Sequence, residues 1–475
     1  MHKLSRDGFI IIKKEIDEHV LDQVKEELTV KPFTMNDYSN NIKHFKLYTE
    51  SDKKIYVPRF YGIEKMKNYI DIFNDELIQS INTPFKGGLR NEQLPIYKVI
   101  MNQLQSNGGG IISLKCGGGK TVLSLYIVST LKVKTLVVVH KDFLMTQWYD
   151  RITEFIPNAK IGKIQQNTID IENKDIVLAM VQSLSMKEYN SNIFENFGLV
   201  IFDECHHLGA EVFSKAMPKV ASKYMLGLSA TPNRKDGLKR VFEWYIGPIV
   251  YTSKDNQDEG VTVKIIKYNI DDEKYNKVHN TTIRVGNTFQ SRPCCPRMIN
   301  NICEYEPRNK LILSYIKQTY NEGRNVLLLS DRREHLKYIY ENLLKENILS
   351  GYYVGGMKPS ELRNSQTMSI ILGTYSMASE GMDIPKLNTI ILSTPKSDIT
   401  QSIGRILREK KNIRKFNPLI IDINDEFSLF KNQSIKRMRY YKKSKYNIYI
   451  YDKDGNELPN VNIKKKTINT DICLL

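Results

Sequence analysis

Residues 202–208 read Phe-Asp-Glu-Cys-His-His-Leu, so two acids, a cysteine and two histidines follow an apolar run without a break. Such residues suit a zinc cage, phosphate chemistry around a bound cation, or nothing more than a polar strand end. A zinc cage needs side chains that converge on one ion, and consecutive residues of a strand or helix project in different directions. Cys205, His206 and His207 therefore make a poor cage. The other cysteines, at 116, 294, 295, 303 and 473, show no Cys-x-x-Cys spacing, and scattered reduced thiols are expected.

A second stretch favours phosphate chemistry. Residues 112–128, `ISLKCGGGKTVLSLYIV`, read as a strand, a glycine turn and a helix. Gly117, Gly118 and Gly119 leave the backbone free to fold its N–H groups around phosphate oxygens, and the following helix adds its N-terminal dipole. Lys120 would reach the β- and γ-phosphates of ATP, and Thr121 would bind Mg²⁺ through its hydroxyl. The full G-x-x-x-x-G-K-[ST] pattern asks for glycine at 114, where this chain has Leu114. The alternative is a plain flexible turn. Further along, Asp203 would hold Mg²⁺ through water, and Glu204 would orient and deprotonate the attacking water.

These residues need elements to place them. Continuous apolar runs at 110–116, 133–140, 175–181, 197–204 and 224–231 are separated by helix-length intervals, and the rhythm returns at 325–331, 350–356, 369–375, 387–394 and 418–423. Buried strands alternating with helices predict parallel sheets covered by helices. The expected division is an accessory segment at 1–80, an α/β domain at 81–250, a connector at 251–306, a second α/β domain at 307–430 and a basic tail at 431–475. That fits 475 residues at roughly 100–200 per domain.

The net charge of +17 points to a polyanion such as nucleic acid, although drift in a Lys-, Ile- and Asn-rich chain would also raise it. No apolar run is long enough for a membrane span, and the N-terminus lacks a signal-peptide core, so an intracellular protein without a membrane partner is expected. Residues 431–445 carry seven basic side chains and no acid, with Tyr440 and Tyr441 among them. Lys436, Arg437 and Arg439 would then meet phosphates while the tyrosines stack on bases. A solvated helix whose tyrosines pack inward fits the same residues.

With these residues in place, Asp203-Glu204-Cys205-His206 resembles the DExH box of superfamily 2 helicases, and `LGLSATPNRKDGL` (226–238) resembles their Ser-Ala-Thr motif. The resemblance runs from about residue 89 to 408, with the motifs in the family's order. `LRNEQ` (89–93) looks like the adenine-reading motif, with Gln93 as the base contact. `VVVHKDFLMTQW` (137–148) and `AMVQSL` (179–184) look like strand-binding motifs, with Lys141 and Gln182 as contacts. `LLLSDRREHL` (327–336), `GTYSMASEGMDIP` (373–385) and `QSIGRILR` (401–408) resemble motifs IV, V and VI.

The wording is closest to the XPB-like branch of large DNA viruses, which includes the poxvirus transcript-release helicase. The resemblance implies two tandem RecA-like motor domains with a small N-terminal domain and a basic C-terminal extension. It implies ATP and Mg²⁺ as cofactors, Gln401 positioning water or γ-phosphate, and Arg405 and Arg408 acting as fingers on ATP. His206, Ser229 and Thr231 would couple ATP to nucleic acid. Thr374, Gly381 and Asp383 would sit where nucleotide and strand meet.

The expected activity is that of an ATP-dependent DNA helicase or duplex translocase in viral transcription or genome processing, favoured as a monomer, with transcription machinery as a partner. Host cytoplasm or virion would be its place. An RNA helicase, a restriction-type motor subunit and a nucleic-acid-binding factor with a vestigial motor are the alternatives.

Overall fold

The computed structural model describes residues 1–31, 44–115, 117–205, 210–230, 238–253, 260–285, 288–380, 382, 384–409 and 414–459. The chain forms two compact units, residues 1–256 with 284–290 and residues 257–283 with 291–475.

The first unit is built on an eight-stranded sheet. Its strands lie in the order Thr168–Asp170, Ile161–Gln165, Ile176–Met180, Thr135–Val139, Leu199–Phe202, Tyr224–Ser229, Gly109–Ser113 and Ile249–Thr252. All neighbours are parallel except the pair at the Thr168–Asp170 edge. Thr135–Val139, Leu199–Phe202 and Gly109–Ser113 are buried along their whole length, as a sheet covered on both faces requires.

Five strands, His2–Ser5, Gly8–Ile12, Thr49–Glu50, Lys54–Val57 and Tyr69–Asp71, form a separate sheet, in which Gly8–Ile12 pairs with both His2–Ser5 and Lys54–Val57. Its Leu4, Phe9, Val57 and Tyr61 share one core with Phe213, Phe242 and Ile246 beside the eight-stranded sheet. Two arginines fix this seam. Arg6 donates to the carbonyls of Phe194, Glu195 and Phe197, and Arg59 donates to Lys223 at 2.9 Å and Ser222 at 3.2 Å.

The second unit has its own eight-stranded sheet, ordered Gly351–Tyr353, Ile370–Thr374, Val326–Ser330, Thr389–Leu392, Leu419–Asp425, Thr262–Tyr268, Asn447–Asp452 and Glu457–Leu458. Here two expected boundaries move. Thr262–Tyr268, within the expected connector, pairs in parallel with Leu419–Asp425 and with Asn447–Asp452 from the expected tail. Segments of the expected connector and tail therefore complete the second eight-stranded sheet. Lysines 264 and 267 interrupt the apolar pattern of the first strand, and tyrosines alternate along the second, so neither reads as a continuous apolar run.

The basic tail is the helix Ser428–Lys443, and one assignment on it is corrected. Arg437 is 2% exposed, and its Nε donates to Asp422 at 2.8 Å while its other nitrogens reach Asn424 and the Lys396 carbonyl. It is a buried structural cation and cannot meet a phosphate. Tyr441 is also buried and donates to Asp422 at 2.8 Å, so this tyrosine packs inward. Lys436 and Arg439 are exposed, together with Lys431, Lys442, Lys443 and Lys445.

Removing one partner of a buried pair leaves an uncompensated charge, at about 3–5 kcal/mol. Arg437→Ala should therefore lower stability by about that amount in urea unfolding, whereas Lys436→Ala or Arg439→Ala should stay within about 0.5 kcal/mol. An unchanged midpoint for Arg437→Ala would remove it from the core.

Candidate active site

In a parallel sheet every strand ends at the same edge, and the loops there form the ligand-binding rim. The strand Gly109–Ser113 leads into the glycine turn, and the helix Lys120–Leu131 starts from Gly119. Gly119 has φ +76°, so its backbone favours glycine, and a Cβ there would push the tip of the Gln93 side chain aside. Gln93 is buried. Its carbonyl accepts from the Arg90 N–H at 3.1 Å, and its amide donates to Gly119 O at 3.2 Å and Gly118 O at 3.5 Å. This side chain cinches the phosphate turn, a role that the sequence does not reveal.

Lys120 opens the helix and is ion-paired with Glu204, both side chains being nearly buried. Glu204 also accepts a 3.2 Å hydrogen bond from the Ala230 N–H, immediately after Ser229. Its backbone lies in the left-handed region, φ +46°, which a glutamate adopts only under constraint from its neighbours. Ser229 ends its strand beside Ser113, and its carbonyl accepts from Leu114 N–H at 2.9 Å. Phosphate turn, acidic loop and Ser-Ala-Thr loop are thus linked within one cluster. Thr121 stands half-buried at the second position of the helix.

Asp203 is buried, and the Trp148 indole donates to it at 2.8 Å. Burial pushes its carboxyl up, as does the neighbouring Glu204 charge. Lys120, the Trp148 bond and His140 pull the other way without cancelling the rise. The sequence does not single out Trp148 as a site residue. Leu144, Met145, Trp148 and Ile152 follow helical spacing and announce its burial, but nothing in that pattern names its partner.

Lys141 and Gln182 come together at the same rim. Gln182 donates to the His140 carbonyl at 2.9 Å, and the Lys141 ammonium lies 5.9 Å from the Phe143 ring centroid. In the second unit, Thr374 ends its strand with its hydroxyl 3.3 Å from Ser376 Oγ, and Gln401 lies on the short helix Thr400–Ile403. Arg405 is 5% exposed and donates to Ala378 O at 2.5 Å and Met382 O at 2.8 Å, tying motif VI to motif V. Arg408 is half-buried. His206, Thr231, Gly381 and Asp383 lie outside the described residues.

Mg²⁺ keeps most of its water and takes one or two carboxylates together with substrate phosphates. A single buried Asp203 beside the phosphate turn fits that need. Among the described residues no three His, Cys, Asp or Glu side chains cluster as a metal cage.

Residues 86–234 match the family model of the res subunit of type III restriction enzymes, and residues 308–410 match the helicase conserved C-terminal domain. A protein of Acanthamoeba polyphaga mimivirus, named as an ATP-dependent RNA helicase, is 39% identical over 457 residues, spanning 94% of this chain and 86% of that protein. A protein of Invertebrate iridescent virus 6 named as a helicase is 26% identical over 451 residues, spanning 90% and 96%. A fragment of an HsdR subunit of a type I restriction enzyme from Vibrio vulnificus shares the fold, with a TM-score of 0.53 at 18% identity over 81% of this chain and 73% of that one.

Two parallel-sheet units that match these two family models in order define a helicase architecture. The chain belongs to superfamily 2 and is related to the helicases of large DNA viruses. Membership implies an enzyme that hydrolyses ATP and binds nucleic acid. No helix among the described residues is long and apolar enough to cross a membrane.

Two outcomes test the cluster. Lys120→Ala should lower ATP turnover by about 10²-fold or more, the scale of losing one preorganised charge-stabilising donor, while nucleic-acid binding persists; full turnover would dismiss the phosphate turn. Asp203 must be ionised to hold Mg²⁺, so turnover falls on an acid limb whose position is set by the bound cation as well as by burial. Trp148→Phe removes a bond to the anion and should move that limb to higher pH. A limb that stays in place would show that Trp148 does not tune Asp203.

Proposed function

We propose that this chain couples ATP hydrolysis to movement along DNA, as a helicase or double-strand translocase serving viral transcription or genome processing. The observation that carries the motor reading is the Lys120–Glu204 pair, held in turn by the Ala230 N–H. Lys120 serves as the phosphate-binding cation and Glu204 as the base. When the ammonium turns to phosphate oxygens, the carboxylate is left for a water molecule, so substrate binding arms the base. Bound Mg²⁺ would neutralise charge on the β- and γ-phosphates, and Asp203 and Thr121 are the residues to hold it.

Gly117 to Gly119 would cradle phosphate, and Gln93 could read the base only by releasing the turn its amide closes; by the resemblance, Arg405 and Arg408 would stabilise the transferring phosphoryl group and Gln401 would align the attacking water. By the resemblance, Ser229 would relay the state of this cluster to Lys141 and Gln182 as strand contacts of the first unit, and Thr374 would be a strand contact of the second. The exposed face of the helix Ser428–Lys443 supports a further contact, because Lys436, Arg439, Lys442 and Lys443 stand there with no acid among them.

XPB-like wording in the motifs favours DNA. The name of the mimivirus relative favours a second reading, an RNA helicase on the same motor. Steady-state ATP hydrolysis without polymer and with single-stranded DNA, duplex DNA and RNA, at one salt concentration, separates them. DNA should stimulate most. Strongest stimulation by RNA would install the second reading, and none by any polymer would overturn the motor.

Replacing Lys436, Arg439, Lys442, Lys443 and Lys445 by Gln should weaken binding and flatten its salt dependence, by a slope of about 0.9 for each duplex phosphate that is no longer neutralised. An unchanged slope would return this helix to a merely solvated face.

A further inference from the structure

The seam between the five-stranded sheet and the rest of the first unit does not close everywhere. It leaves a cavity of about 120 Å³ whose lining residues all belong to that unit. Tyr48, Tyr56 and Phe73 line it from the accessory side, and Met217, Met225 and Tyr245 from the other. The Tyr245 hydroxyl donates to the Leu47 carbonyl at 3.4 Å across the gap. Clefts between packed modules are common sites for small ligands, and thioethers beside aromatic rings adapt to a flat guest. A closed cavity of about 150 Å³ admits benzene. This one is a little smaller and open on one side, so a single ring is the size of guest it takes.

Arg59 lines the same cavity. Its η nitrogens donate to the carbonyls of Lys223, Ser222 and Asn107, and its guanidinium lies 5.3 Å and 6.0 Å from the ring centroids of Phe60 and Phe73. Among the described residues no carboxylate forms an ion pair with it, and its buried Nε–H has no acceptor. A cation met by carbonyls alone is short of negative charge, and a buried N–H without an acceptor calls for one. Ring-sized space and an unanswered cation describe a flat ring that carries an acidic group. A protein partner fits less well, because the exposed rim is Asp7, Lys46, Thr49 and Pro218, which offers little apolar surface beyond the cavity itself.

We propose that this cavity binds a one-ring aromatic anion of the aryl carboxylate class, with the ring among Tyr48, Tyr56, Phe73 and Met217 and a carboxylate oxygen accepting the Arg59 Nε–H. Such a guest touches both sides of the seam, so it stabilises the first unit by linkage. The site is remote from the phosphate turn. Met225 stands near the start of the strand Tyr224–Ser229, and Ala230, just past its far end, is the residue that holds Glu204.

The test uses the full chain with benzoate as the probe, benzyl alcohol as a ring without the charge, and acetate as a charge without the ring. Calorimetric titration and thermal unfolding are measured with and without ATP. Benzoate should bind once per chain with a Kd on the order of 0.1 mM and raise Tm as its concentration grows. Benzyl alcohol should bind about tenfold or more weaker, the scale of one charge-assisted hydrogen bond, and acetate should not bind. Ala221→Leu and Met217→Phe fill the cavity and should each weaken benzoate by about tenfold or more. Arg59→Gln should bring benzoate to the level of benzyl alcohol. Arg59 also holds the seam, so the two filling variants carry the test if Arg59→Gln unfolds.

No saturable binding of benzoate up to about 10 mM would overturn the site, leaving a cavity that holds only water. Benzyl alcohol or acetate binding as tightly as benzoate would also overturn it. So would benzoate that ATP displaces, which places it at the phosphate turn, or undiminished binding by both filled variants. None of these outcomes touches the motor reading, which stands on other residues.

Discussion

Parallel pairing is the constraint from which the active site follows. When neighbouring strands run the same way, their carboxyl ends meet along one rim, and whatever follows each strand is delivered there. The turn after Gly109–Ser113, the acids after Leu199–Phe202, Ala230 after Tyr224–Ser229, and His140 and Lys141 after Thr135–Val139 are all placed by that rule. Residues far apart in the chain become neighbours without any dedicated framework. The remaining precision comes from a few polar contacts. Gln93 closes the glycine turn, Trp148 orients one acid, and Ala230 holds the other in a backbone conformation that it would not choose alone.

The second unit solves a different problem. Its strand Leu419–Asp425 is wholly buried yet carries Asp422 and Asp425, and each meets a buried arginine. Arg308 binds both oxygens of Asp425, at 2.6 and 2.8 Å, while the Tyr275 hydroxyl donates to the same carboxylate at 2.5 Å. On Asp422 the contact is one-sided: Arg437 Nε and the Tyr441 hydroxyl both donate to Oδ2, and the rest of the Arg437 fork goes to Asn424 and the Lys396 carbonyl. Planar guanidinium forks suit such carboxylates. A buried pair adds less to stability than its geometry suggests, but it fixes which segments lie together. One pair anchors the segment before the strand Val326–Ser330, and the other anchors the basic helix.

The parts of this architecture legible beforehand were those written as uninterrupted apolar runs or as short motifs with one chemical purpose. Strands such as Val326–Ser330 and Leu199–Phe202 announce themselves, because burial on both faces leaves no room for polar residues. Lys120, Asp203 and Glu204 were legible for the opposite reason: polar residues directly after such runs need an explanation. Thr262–Tyr268 and Asn447–Asp452 were not, since a strand partly open to solvent alternates and resembles a polar connector. Arg437 misled because a run of basic residues does not reveal which one faces inward, and only Asp422, lying across the helix, decides it. Trp148 and the second role of Gln93 are tertiary contacts, to which no local spacing corresponds.

The pairing of Thr262–Tyr268 has a consequence for how the molecule is made. Its two neighbours are the strands Leu419–Asp425 and Asn447–Asp452, which leave the ribosome long after it does. The strands of the first motor sheet are all synthesised by Thr252, so that unit can condense while translation continues. The second cannot. Its strand Thr262–Tyr268 must wait with both edges unpaired, and the closure that finally seats it spans most of the unit, which slows folding. During that interval an open strand edge is offered to any neighbouring chain, and Lys264 and Lys267, which blur the strand in the sequence, are the charges that discourage such pairing.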